Sequence, residues 1–166
     1  MKRMTLLLTA LAFAFTSTVS MAQAMKIGVV DLQKIMRQSS QMKDIQTELE
    51  KKFKPRRDKL VESEQKVKTD MEKFKRDQSV MNDKQRKDLE KKIVEAQQKF
   101  EQEGQQYQQE LSAEHNKAME KFYGKVREAI AKTAKENKYD VVLQKDAAPY
   151  SDDSLDITDK VMKKIG

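Results

Sequence analysis

The stretch from Met42 to Met81, MKDIQTELEKKFKPRRDKLVESEQKVKTDMEKFKRDQSVM, decides the fold. Its apolar side chains, Met42, Ile45, Leu49, Phe53, Leu60, Val67, Phe74 and Met81, recur at steps of three, four and seven, with Met71 between them. Such steps place them on one face of an α-helix. Lys, Arg, Glu, Asp and Gln fill the other faces. The apolar face is a seam rather than a broad core surface. A helix of this kind needs a partner, because most helix stability comes from packing.

The partner follows directly in the chain. The seam breaks at residues 79–83, where Asn82 can cap a new helix and Gln85, three residues on, can reciprocate. A second run then lines one helix face with Leu89, Ile93, Ala96, Phe100, Tyr107, Leu111, Ala118, Phe122, Val126 and Ile130. Asn137, which tolerates the left-handed C-terminal position, ends it. Two seams joined by a short polar turn predict an antiparallel helical hairpin over residues 42–137. At 1.5 Å per residue, its ascending half is on the order of 58 Å long.

On either side of the hairpin the period changes. Residues 26–31 read as a strand through Ile27, Gly28, Val29 and Val30, and from Leu32 the pattern turns helical through Ile35 and Met36 into the arm. After Asn137, Tyr139, Val141, Val142 and Leu143 read as a second strand. Lys145 and Asp146 mark a turn, and Ala147, Ala148, Pro149 and Tyr150 suit an edge strand, since proline is confined to edges. Asp156 is placed to cap a last helix with Ile157, Val161, Met162 and Ile165 on one face. Residues 25–41 and 138–166 thus form a β-containing body. Three short strands make no stable sheet alone, and open edges are adhesive. Several chains pooling their strands solve both problems, with Ile27, Val29, Val30, Val141, Val142 and Leu143 as the oligomerisation residues. The fold class is mainly α with a small β body made by oligomerisation of short strands, from which the long antiparallel hairpin arm projects.

The first 24 residues read as a leader: Lys2 and Arg3, an apolar run from Leu6 to Val19, then small residues at Ala22 and Ala24. The run is too short to span a bilayer. The leader carries two basic and no acidic residues, so its removal lowers the formal charge from +7 to +5. Zero cysteines exclude disulfides, thiol catalysis and thiolate metal sites. Catalytic signals are missing elsewhere too. His115 is the single histidine, no carboxylate or histidine group has metal-ligand spacing, and glycines at 28, 104, 124 and 166 build no phosphate loop. No enzyme activity, no cofactor and no metal are expected.

The order of these parts resembles a known family. A leader, then Lys26-Ile27-Gly28-Val29-Val30-Asp31, a charged hairpin, Tyr139-Asp140-Val141-Val142-Leu143 and Asp156-Ile157-Thr158-Asp159-Lys160-Val161 together look like the Skp (OmpH) family of periplasmic chaperones, over essentially the whole chain after the leader. The resemblance implies a homotrimer with a β-barrel body and three helical arms. It implies an ATP-independent holding chaperone of the Gram-negative periplasm that encloses unfolded outer-membrane β-barrel proteins and prevents their aggregation. One departure stands out. Basic residues midway along the descending arm have been proposed to bind lipopolysaccharide in the family, but here Lys99 and Lys117 flank a stretch without lysine or arginine that carries Glu101, Glu103, Glu110 and Glu114. That site is not carried over.

Three features can carry such a function. Basic charge is concentrated: Lys51, Lys52, Lys54, Arg56, Arg57 and Lys59 stand against one acid, Asp58. Lys66, Lys68, Lys73, Lys75, Arg76, Lys84, Arg86, Lys87, Lys91 and Lys92 stand against six acids. These sixteen are candidate client-binding residues, drawing acidic chains and, weakly, anionic lipid. The competing reading is a solvated face with intrahelical pairs such as Glu48–Lys52 and Glu72–Arg76. Met71, Phe74, Met81, Phe100 and Tyr107 are candidate apolar client contacts, adaptable where methionine is involved; as seam residues they equally serve to join the two helices. Pro55 and Gly104 both weaken a helix, and in a hairpin turning near residue 80 they lie at similar height, which suggests a hinge. Nucleic-acid binding is the alternative that a high pI raises, but the leader, the abundant acids and the absence of aromatic platforms argue against it. A structural spacer between membrane and wall would need an anchor that the sequence does not display.

Overall fold

The computed structural model describes residues 24–165; the leader reading therefore lies, but for Ala24, outside the described residues, as does Gly166. The chain runs β1 (Ile27–Val30), α1 (Leu32–Gln38), α2 (Ser40–Asp77), α3 (Asp83–Asn137), β2 (Val141–Gln144) and α4 (Thr158–Ile165), with two single 3₁₀ turns between β2 and α4. Helices α2 and α3 form the antiparallel hairpin that the two seams predict. The turn at its tip is fixed chemically. Asn82 Oδ1 accepts from the Gln85 amide at 2.9 Å, and Gln85 Oε1 accepts from the Asn82 amide at 3.1 Å, so two orphan donors are satisfied reciprocally.

The strands pair in parallel, Ile27 opposite Val141 through Val30 opposite Gln144. Parallel strands need a long crossover, and here the whole arm supplies it. The pair closes the base of the hairpin and is covered by α4 and the root of α3. The core gathers there: Val30, Ile35, Phe122, Val126, Ala129, Ile157, Val161 and Ile165 are buried together. Helix α4 earns its place by its pattern. Val161 and Ile165 stand one turn apart and face inward with Thr158, while Asp159, Lys160, Lys163 and Lys164 face water.

Four local expectations are corrected. The helix expected to run on from Leu32 is interrupted: Ser39 takes an extended backbone (ψ 131°), so α1 and α2 are separate helices. The left-handed residue that ends α3 is Lys138 (φ 55°), one position after Asn137, whose amide side chain instead donates to the Thr133 carbonyl. Residues 147–150 form no strand. Lys145–Ala147 is a 3₁₀ turn, and the place beside β1 goes to Asp156 in a single bridge with Val29. Asp156 accepts from the Thr158 amide at 2.7 Å, but Ile157, whose carbonyl takes the first helical bond from Val161, is the residue at the cap.

Candidate functional site

The arm is the part of the molecule free to meet a partner, and its seam consumes most of its apolar residues. Phe53, Val67 and Ile93 are buried between α2 and α3. The Phe53 ring meets Tyr107 edge-on, with centroids 5.8 Å apart, and Gln97 donates to the Met71 sulfur at 3.7 Å. The five apolar candidates, Met71, Phe74, Met81, Phe100 and Tyr107, are all half-buried along the arm. The exposed large apolar side chains of the arm beyond its root are others: Val61, Val80 and Val94, at 59%, 84% and 46%. Sequence reading passed over them because each neighbours a seam residue in the chain. The signal was available, since Val61 and Val94 follow Leu60 and Ile93 by one residue, about 100° round the helix.

The sixteen basic candidates divide in half. Three are held across the arm: Lys52 Nζ lies 3.2 Å from Glu114, Lys92 Nζ 2.9 Å from Asp70, and Arg56 grips Glu110 with both terminal nitrogens. Five are held by near neighbours in sequence, as Lys54 and Arg57 by Asp58, Arg76 by Asp77, Arg86 by Asp83 and Lys91 by Glu95. Lys51, Lys59, Lys66, Lys68, Lys73, Lys75, Lys84 and Lys87 make no ion pair among the described residues. The expected pairs Glu48–Lys52 and Glu72–Arg76 are replaced, because Lys52 reaches across to α3 and Arg76 turns to the adjoining Asp77. The acid-only stretch of α3 thus has a structural role: Glu110 and Glu114 face the basic stretch of α2. Hydrogen bonding to Arg56 holds the Glu110 carboxyl below its usual pKa and raises that of the guanidinium.

Near the root, α2 and α3 part to leave an open groove of about 470 Å³. Asp44 and Glu48 line one lip, Lys117, Lys121 and Lys125 the other, with Ile45 and Leu49 between. Higher up, α2 runs through Pro55 and α3 through Gly104 without interruption. Nothing lies within 4 Å of where a Gly104 Cβ would stand. Among the described residues, no group of three or more His, Asp or Glu could hold a metal ion, and no helix is long and apolar enough to cross a membrane.

In the body, the residues assigned to oligomerisation separate by strand. Val29 and Val30 are buried in the chain's own core, with Ile27 and Val142 half-buried. Val141 and Leu143 point outward, 37% and 39% exposed. The three short motifs converge on one another. The Lys26 amide donates to Asp140 at 2.7 Å, and Lys26 Nζ donates to the Asn137 carbonyl at the end of α3 and sits over the Tyr139 ring. The Asp31 amide donates to the buried Thr158 hydroxyl at 2.9 Å, Asp31 caps α1, and Lys34 pairs with Asp159 at 2.7 Å.

Comparison with known proteins turns on this arrangement of motifs. The OmpH-like outer membrane protein family matches residues 26–165, which spans both strands, the whole hairpin and α4. The chain belongs to the OmpH-like family. Among its relatives are proteins named Chaperone protein Skp, from Yersinia pseudotuberculosis, 39% identical over 93% of this chain and 94% of that one, and from Yersinia enterocolitica, 29% identical over 93% of each. The OmpH-like fold is also seen in a crystal structure described as an OmpH-like outer membrane chaperone from Caulobacter crescentus CB15, with a TM-score of 0.75 over 85% of this chain and 83% of that one at 16% identity.

Proposed function

We propose that this OmpH-like chain is a periplasmic holding chaperone that works without ATP, taking unfolded outer-membrane β-barrel proteins between its arms and keeping them from aggregating before insertion. The observation that carries this reading is the arm itself. It is a long two-helix projection whose surface is dense in charge, most of whose apolar residues are spent on its own seam, and on which eight of the basic candidates make no ion pair among the described residues. Such a surface attracts acidic chains at a distance and holds them weakly. The names borne by its relatives point the same way. The open edge of a two-stranded sheet, with Val141 and Leu143 outward, supports an assembly of several chains, a homotrimer by family resemblance. Removal of the leader would leave that assembly in the periplasm.

The test is dilution of a urea-unfolded outer-membrane β-barrel protein into buffer with and without the chain from Met25 onward, without nucleotide, at two salt concentrations. Light scattering should stay low in the presence of the chain, with weaker protection at the higher salt. Full aggregation at every ratio would discard the chaperone reading. Retention of the protein on DNA in moderate salt would then bring nucleic-acid binding forward.

A further inference from the structure

Lys52, Lys59, Lys66 and Lys73 follow one another on α2 at intervals of seven. Residues seven apart return to nearly the same side of a helix, drifting by roughly 20° per step. They therefore form a row along one flank of the arm, with neighbours about 10.5 Å apart. The lowest member is engaged by Glu114 across the arm. The upper three, Lys59, Lys66 and Lys73, are exposed and make no ion pair among the described residues. Asp70 lies on the same flank, one turn from both Lys66 and Lys73. Yet its side chain is only 14% exposed and is turned to Lys92 of α3, so it does not neutralise them. Glu62, a turn from Lys59 and from Lys66, is an exposed carboxylate within the row and makes no ion pair among the described residues. Glu103 of α3, which borders the same cleft as Lys59, is held by Lys99, and Asp77, a turn beyond Lys73, is held by Arg76.

A regular row of cations has a matching ligand. Unfolded chains favour the polyproline II conformation, which turns once in three residues and rises about 3.1 Å per residue. Every third side chain then points the same way, about 9.3 Å apart. Over two intervals that repeat falls short of the lysine spacing by a little over 2 Å, by roughly the same estimates, which flexible lysine stems absorb. Carboxylates on alternate residues of a flat strand, about 6.8 Å apart, do not keep step with adjacent lysines.

We propose that Lys59, Lys66 and Lys73 form a reading strip for an extended acidic polypeptide, selecting client segments with carboxylates at every third residue. This rests on the chaperone reading above and gives it a specificity rule: the arm would recognise its client while still unfolded, and release it as segments become regular strand.

The probes are two fluorescein-labelled peptides of one composition. One carries glutamate at every third position between prolines, and the other carries all its glutamates in one block. Anisotropy at low salt should show the periodic peptide binding several-fold tighter. The variant Lys59→Gln/Lys66→Gln/Lys73→Gln should lose about tenfold in affinity for it, together with the preference. A variant of equal charge change on the opposite flank, Lys54→Gln/Lys68→Gln/Lys75→Gln, should keep the preference, and Glu62→Gln should tighten binding. Circular dichroism checks that the arms of each variant stay helical. Equal binding of the two peptides, or equal losses in the two triple variants, overturns the strip. So does equal binding of a single-stranded oligonucleotide of matched charge, which would mean plain polyanion attraction. Light scattering on the same preparations separates the two ideas. A periodic preference without protection of the unfolded barrel protein leaves the strip and removes the chaperone. Protection that survives with no preference does the reverse.

Discussion

Gly28 shows how one residue ties the two ends of the chain together. A Cβ placed there would lie 2.8 Å from Ile157 Cδ1, closer than side-chain atoms approach, and Ile157 is itself buried in the core. Gly28→Ala should therefore destabilise the protein by about 1–3 kcal/mol, the usual cost of overpacking. Gly124→Ala, where a Cβ meets nothing within 4 Å on a helix, should stabilise it by about 0.5–1 kcal/mol. Urea titration of both variants checks the contrast, and a Gly28→Ala protein as stable as the parent would mean that Ile157 yields freely. The sequence marks Gly28 as part of a strand but says nothing of Ile157, because contact between the chain ends depends on the path of the arm between them. The same limit applies to charge. Basic clusters are visible in the sequence, whereas their partners are not: Arg56 with Glu110 and Lys52 with Glu114 exist only once the register of α2 against α3 is set.

At the scale of elements, long periodic segments were legible and short ones were not. Dozens of residues repeat the same seam in α2 and α3, and the reciprocal Asn82–Gln85 cap at the tip follows from two side chains three residues apart. The break at Ser39 has no glycine or proline to announce it. Residues 147–150 have too few side chains to choose a conformation without the body around them. Pro55 and Gly104 stand apart, since each weakens its helix locally while both helices continue. At that height the arm is joined by the Phe53–Tyr107 ring contact and the Arg56–Glu110 pair. If the pair of weak points is a hinge, Pro55→Ala/Gly104→Ala should restore a backbone hydrogen bond and remove a flexible position. It should raise thermal stability and narrow the distribution of arm spread in small-angle scattering. An unchanged spread alongside raised stability would leave two helix defects and no hinge.

At the scale of the molecule, the body carries little sheet of its own. Its sheet has two strands of four residues, and pairs of that size are marginal in water. β1 is hidden by the chain's own core, but β2 is not: its outward side chains Val141 and Leu143 are exposed, and Tyr150, just beyond, is 84% exposed. Natural edge strands of this kind are normally blunted by charge or covered. Here no residue of the strand itself is charged; Asp140 just before it is taken up by the Lys26 amide, and Lys145 follows only after the strand has ended. We propose that other copies of the chain cover β2, and that this closure sets the arms side by side around a shared space. Lysine in place of Val141 and Leu143 puts charge where the edge must be dry while leaving α2 and α3 untouched. Sedimentation of the variant should therefore shift from several chains to one, with helicity almost retained. Protection of an unfolded client should fall with it, because a single arm encloses nothing. A variant that stays assembled would place the interface elsewhere on the body. A variant that becomes monomeric yet protects as well as the parent would mean that the arm surface alone, without enclosure, is sufficient for holding.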